Sequence, residues 1–313
     1  MKRWYFWYFG ILLVLAALSQ IGSVLAISSM LVVPGIVLVG ANTLLLYSIL
    51  LLPFFLRPHE MLEKPIKAAF AVAPALIVAF GLPQLAQSRR DTFIARQQIE
   101  DFDRGTPASK VGTITFAVAR TADLTCSDVC ERLLYNGEVD RVVKAYFDNS
   151  ALQGTPQTVA YRVQKQTACE RGSGAPGAYS AGARARMQAG ECIVREPNAG
   201  IDATDATIAE WPAYYSGGLW RDPRDDNDRL LFDLTSIQVV TLFAGGPRNG
   251  KPILRRTTVV ASAAASPLHV TTTNNAFSPE LMIATRSAPY SGYAMEQVLK
   301  QKLGFRLAEV ANP

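Results

Sequence analysis

From Trp4 to Leu56 the chain carries no charged side chain. One helix of these 53 residues would be about 80 Å long, against roughly 30 Å of bilayer hydrocarbon, so the stretch predicts two membrane spans. The first is expected over residues 4–26 and opens on six aromatics, Trp4-Tyr5-Phe6-Trp7-Tyr8-Phe9, whose rings suit the headgroup level. Ser28-Ser29 and Pro34-Gly35 supply the expected turn, and the second span is expected over 35–56. A third apolar stretch, Ala68 to Ala86, is polar only at Gln84 and predicts a third span despite Pro74, Gly81 and Pro83.

Beyond Gln87 the pattern changes. Residues 88–110 read as a charged juxtamembrane neck, closed by Gly105 and Pro107. Residues 111–313 then alternate short strand and helix patterns. Val111 to Arg120 places Ile114, Phe116 and Val118 on one face of a strand. Thr125 opens a helix with Asp128 at capping-box spacing, and Asn136-Gly137 can close it. Val139 to Phe147, Thr158 to Thr167 and Glu191 to Arg195 read as strands, with Arg171 to Gly190 a Gly/Ala/Ser-rich mobile loop. Ile237 to Phe243 and Ile253 to Ala261 flank Gly245-Gly246-Pro247-Arg248-Asn249-Gly250 as a hairpin, and Met295 to Leu303 forms a last helix capped by Gly304. The fold class is a membrane-anchored α+β protein: three N-terminal transmembrane helices (residues 1–87), then a strand-rich mixed extracytoplasmic domain.

Charge sets the expected orientation. Lys2 and Arg3 precede the first span, Arg57, Lys64 and Lys67 lie between the second and third, and the intervening turn has none. That bias predicts a multi-pass protein of the cytoplasmic (inner) membrane with its N-terminus inside. The C-terminal domain is then periplasmic or extracellular. An alternative takes residues 1–26 as a signal peptide, with Val24-Leu25-Ala26 as a small-residue cleavage site. Both readings leave residues 88–313 on the same side. After Gln87 there are 26 Lys/Arg and 24 Asp/Glu, so the basic balance of the whole chain is no nucleic-acid footprint. The expected partners are the lipid bilayer and a membrane or envelope protein.

The four cysteines (Cys126, Cys130, Cys169, Cys192) all fall in the exterior part, as an oxidising compartment would allow. Disulfides are the expected role for all four. Cys169 with Cys192 across the Gly/Ala-rich loop leaves Cys126 with Cys130, although spacing alone does not decide connectivity. Cys126-Ser127-Asp128-Val129-Cys130 also resembles the Cys-Pro-Asp-Val-Cys segment of Sco-type copper chaperones, which are membrane-anchored and carry it between a strand and a helix. The resemblance covers Thr125 to Cys130, with Ser127 in place of the proline. It implies copper held by the thiolates of Cys126 and Cys130 and a distant histidine, for which His269 is the exterior candidate; soft thiolates select Cu(I).

Trp211, Tyr214, Tyr215 and Trp220 gather aromatics around Pro and Gly, as a ligand-stacking loop or as a staple to the core. Arg221 to Arg229 interleaves Arg and Asp but lacks the central glycine and distal glutamate of a calcium loop, and reads as a solvated loop. No nucleophile elbow, zinc-protease motif or phosphate-binding glycine loop occurs, and two histidines leave little for imidazole acid–base chemistry. No catalytic residue and no resident cofactor are expected. The function expected is binding or envelope assembly by a disulfide-bearing domain. Thiol or copper handling, and an enzyme of unrecognised mechanism, are the alternatives.

Overall fold

The computed structural model describes residues 2–21, 24, 32–57, 63–107, 110–119, 124–126, 128–147, 152, 154–167, 169, 181–201, 203–215, 231–275, 278–288 and 295–308. The fold is mixed α+β with a strand-rich sheet. It divides into two compact units: Met1–Phe93 with Asn227–Leu234 and Ala261–Pro289, and Ile94–Asp226 with Thr235–Val260 and Tyr290–Pro313.

The first unit holds α1 (Lys2–Ser19), α2 (Val32–Leu50), the short α3 (Leu52–Leu56) and most of α4 (Pro65–Gln97). α1 packs on α2. Tyr5 is buried in that contact, donating to the Ser48 carbonyl at 3.0 Å and stacking on Phe55 at 5.0 Å, whereas its neighbours Trp4, Phe6 and Trp7 stay exposed. Pro34 and Gly35 are not the turn expected of them. They lie in the first turn of α2, where a proline's missing N–H is one of the donors a helix leaves unused anyway.

α4 is a single 33-residue helix and, among the described residues, the one long and apolar enough to cross a membrane. It merges the third apolar stretch with the charged residues expected to form a separate neck. Pro74 and Pro83 do not break it, because the backbone adjusts locally. A π-helical turn spans Ile77–Gly81, and the Ala79 carbonyl accepts the N–H of Leu268 at 2.9 Å. Pro83, four residues beyond Ala79, has no N–H to give that carbonyl.

The unit is not confined to the N-terminal 87 residues. It also takes in β9 (Val270–Asn275), β10 (Ser278–Ile283) and β11 (Thr285–Ser287), none of which the apolar pattern suggests. β9 and β10 form a two-stranded antiparallel sheet, with Val270 opposite Ile283 and Thr272 opposite Leu281. Polar side chains of α1 and α2 hold it. Asn42 Nδ2 donates to Ser19 Oγ at 3.1 Å and to Thr272 Oγ1 at 2.7 Å, and Gln20 Nε2 reaches Thr272 Oγ1 at 3.1 Å. Thr43 exchanges bonds with the backbone of Val270 in both directions.

Among the described residues the main sheet has nine strands. β1 (Phe102–Asp103), β8 (Lys251–Ala264), β7 (Phe232–Ala244), β6 (Ala206–Tyr215), β2 (Thr113–Ala119), β3 (Arg141–Phe147), β4 (Gln157–Lys165) and β5 (Glu191–Pro197) follow in that spatial order, and β11 also pairs with β8. β2 is parallel to both β3 and β6 at the centre, and the strands from β3 outward to β5 and from β6 to β7 are antiparallel. The expected hairpin at Gly245–Gly250 joins β7 to β8.

Between β2 and β3 lies α5 (Asp128–Tyr135), giving the strand–helix–strand unit that the apolar stripe predicts. It starts at Asp128, not at Thr125, so Cys126 precedes the helix. Gly137, at φ +67°, closes it while Glu138 N–H reaches back to the Leu133 carbonyl at 3.0 Å. α7 (Met295–Lys302) ends the same way, with Gly304 at φ +70° and Phe305 N–H on the Leu299 carbonyl at 3.1 Å.

α5 and α7 cover one sheet face, burying Leu133, Val298 and Leu299 against Ile114, Phe116, Val142, Tyr161 and Ile208. The other face carries smaller residues, Ala117, Val143, Ala145, Ala160 and Ala209, around Phe147.

Part of the expected mobile loop is a helix, α6 (Ala181–Gln188), in which every residue but Gly182 is a good helix former. Its buried Gly182 and Ala183 let it approach β5. The rest of that loop, residues 171–180, lies outside the described residues.

Candidate functional site

A cavity of about 620 Å³ opens on the helix-covered face of the second unit. Phe116 and Val118 from β2, Lys144 from β3 and Glu210 from β6 form its floor, and Val129 and Cys130 of α5 with Met295, Glu296 and Lys300 of α7 form its walls. The register explains why these floor residues meet. Phe116 lies opposite Lys144 and Val118 opposite Glu210 in parallel pairings, so all four project to one face. The chain enters α5 from the carboxyl end of β2, which brings the first turn of α5 over the same place. Crevices at the carboxyl ends of parallel strands are where open α/β sheets bind ligands.

Its electrostatics are mixed. Lys144 donates to the Thr125 carbonyl, which ties the floor to the segment entering α5. Arg132 of α5 bonds Glu296 at 3.1 Å and the Leu307 carbonyl at 3.2 Å, so the two wall helices are clamped together. Lys300 Nζ stands 3.8 Å from Glu296. Glu210 accepts a hydrogen bond from Gln238, which favours its carboxylate, but burial outweighs this and raises its pKa above the usual carboxylate range. The site thus offers two cations and two carboxyls around the apolar Phe116 and Val118, with the pKa of the Glu210 carboxyl raised above the usual carboxylate range.

That shift has a sign. Folded Glu210 binds its proton more tightly than unfolded Glu210, so its contribution to stability is fully present below the unfolded pKa, near pH 4, and is lost as pH rises towards the raised folded value. Glu210→Gln keeps the acceptor for Gln238 and removes the titration. Urea unfolding of the full chain across this window should show the wild type losing stability relative to the variant as pH rises; a difference that does not change with pH would refute the assignment.

Both expected disulfides are present. Cys126 and Cys130 are bridged with Cα atoms 5.3 Å apart, and Cys169 and Cys192 likewise at 5.3 Å. The short bridge is possible because Cys126 lies outside the helix. Both of its sulfurs are buried, and Cys130 lines the cavity. As a bridge the pair presents no thiolate. His269 is exposed, belongs to the other unit, and follows a cis Ser266–Pro267 bond. Among the described residues no group of three or more His, Cys, Asp or Glu side chains is placed to hold a metal. The donor set in this oxidised form does not fit the copper site that the resemblance implies.

The aromatic segment is divided. Trp211, Tyr214 and Tyr215 lie on β6, where the register shifts between Pro212 and Tyr214, rather than in a loop. Trp211 is half-buried and packs against the small-residue face. Trp220 and the Arg/Asp segment 221–229 lie outside the described residues. The structure assembles a different set, Lys144, Glu210, Glu296 and Lys300, from three elements (β3, β6 and α7) that no local motif links. One signal was available: Lys144 interrupts an otherwise apolar strand (Val142-Val143-Lys144-Ala145), and Glu210 does the same after Ile208-Ala209. A charge inside a central strand needs either a buried partner or a cavity. Searches against family models, curated proteins and solved structures find no match to this chain.

Proposed function

We propose that this chain is an integral membrane protein whose N-terminal helices anchor a disulfide-braced α+β domain outside the cytoplasmic membrane, and that this domain binds a small amphipathic ligand. The observation that carries the binding reading is the cavity between α5 and α7. Its size lies within the usual 300–1,000 Å³ of small-molecule sites, and it has an apolar floor with a few convergent charged groups. Lysines beside carboxyls suit a ligand bearing both signs, such as an amino acid or a short peptide.

The membrane reading is supported by the uncharged run, by α4, and by large apolar side chains that face outward, among them Trp7, Phe70 and Ile77. Exposed apolar surface on this scale marks a membrane or a partner. A phosphatase fused after Pro313 should be active and one fused after Glu63 inactive; an inactive C-terminal fusion would place the domain in the cytoplasm. For binding, zwitterionic amino acids and short peptides should raise the melting temperature of the detergent-solubilised chain. A hit should be lost in Val129→Trp, which fills the cavity. Hits that survive the filling bind elsewhere, and a panel without hits argues against the ligand class.

Thiol handling is the second reading, and Cys130 at the cavity wall is the observation that favours it. It requires the bridge to open under mild reductant in the folded protein, which thiol titration under native conditions measures directly. Slow titration that keeps pace with unfolding would leave the bridge a structural one.

A further inference from the structure

We infer that the β9–β10 hairpin is a lipid-contacting element, with Leu281, Met282 and Ile283 seated among acyl chains beside the helices. The inference rests on the membrane reading above. It starts from what holds the hairpin. Gln87 Nε2 bonds the Ala264 carbonyl at 3.0 Å, the Leu268 N–H bonds Ala79 of α4 at 2.9 Å, and Tyr47 of α2 bonds the Leu268 carbonyl at 2.8 Å. Thr43 and Asn42 of α2 then take Val270 and Thr272. The segment from 264 to 272 therefore runs along α4 from Gln87 to Ala79, reaches α2 at Tyr47, and returns past Thr43 to Asn42 near the middle of α2.

The residues it meets are the polar ones in otherwise apolar helices. A side chain such as Asn42 facing hydrocarbon alone would be costly, and polar side chains in membrane helices are satisfied by bonding across elements. Thr272 does this for Asn42 and Gln20 together. Depth follows from the partners: Ala79 lies within the apolar stretch 68–86, and Asn42 and Thr43 lie halfway along α2.

Leu281, Met282 and Ile283 pair with Thr272, Thr271 and Val270, so they stand one strand further from the helices at that same level. They are 62%, 45% and 50% exposed. Three consecutive large apolar residues exposed on both faces of a strand would invite aggregation in water. Ile77 and Phe80, on either side of Ala79 in α4, are likewise exposed, at 60% and 49%. Backbone groups on an open strand edge do not survive in the hydrocarbon centre. The hairpin must then sit among the acyl chains of the outer leaflet rather than at the bilayer centre, and its contact with the C-terminal end of α1 through Ser19 and Gln20 agrees.

All four native cysteines are bridged, so an introduced cysteine labels selectively. Leu281→Cys and, as a second position, Ile283→Cys would be labelled with an environment-sensitive fluorophore in the full chain, reconstituted into phosphatidylcholine vesicles. Phe80→Cys serves as the helix control and Lys251→Cys as the aqueous control. The expected result is blue-shifted emission at 281 and 283, with most of the fluorescence lost to spin-labelled acyl chains as at 80. Quenching by aqueous iodide at both, as at 251, with 80 still lipid-quenched, overturns the inference and spares the membrane reading. If 80 is also quenched only by iodide, both fall.

Discussion

Tyr161→Ala should be among the most damaging single changes outside the helices, costing about 4 kcal/mol by the loss expected for a large buried ring. Tyr161 is 1% exposed on β4, at the centre of the core under α5, where Val142 of β3 is its cross-strand neighbour. Its hydroxyl donates to the Leu124 carbonyl at 2.7 Å, two residues before the Cys126–Cys130 bridge. The ring therefore fills the core while the hydroxyl ties down the segment that enters the cavity wall. Tyr161→Phe separates the two roles: keeping the ring should hold the loss to about 1 kcal/mol, the net worth of one hydrogen bond. Urea denaturation of the full chain, followed by a probe in the sheet, reads both. Equal losses in the two variants would mean that the hydroxyl, not the packing, dominates.

That residue also shows what could be read in advance. Thr158 to Thr167 alternates cleanly, so β4 and its buried face follow from period alone, as do β2, β3, α5 and α7 with its glycine cap. Val270 to Asn275 gives no such signal. Its three threonines and two asparagines look like a loop, and they form a strand because α2 offers Asn42 and Thr43 to bond them. α6 hid in a Gly/Ala/Ser composition that suits a flexible linker as well as a close-packed helix. The sequence divides α4 at Ser88, where charged residues begin to follow, yet nothing in Ser88 to Gln97 breaks a helix. That the cysteines pair was legible from their even count in the exterior part, but which pairs with which was not, since spacing does not decide connectivity. The cavity was not, because its charged residues come together only through the parallel register of β2, β3 and β6 and the docking of α7.

The Cys169–Cys192 bridge should contribute more than the Cys126–Cys130 bridge, and the reason is loop length. Chain-entropy closure across a separation of 23 residues gives roughly 3 kcal/mol, and across a separation of 4 roughly 2 kcal/mol. The longer bridge ties the end of β4 to the start of β5 and closes the excursion that contains α6. There the chain also relies on Gly190 at φ +85°, where an added Cβ would lie 2.6 Å from the Gln166 carbonyl. Removing the bridge leaves the β4–β5 pairing intact on its core side, where Val159 and Tyr161 are buried, so the cost should be entropic rather than a collapse of the sheet. Cys169→Ala/Cys192→Ala should therefore lower the urea midpoint further than Cys126→Ala/Cys130→Ala, with the folded sheet retained by circular dichroism in both. The reverse order would show that the short bridge acts through its packing beneath Leu133 and the cavity wall, and that loop closure is not what these disulfides supply.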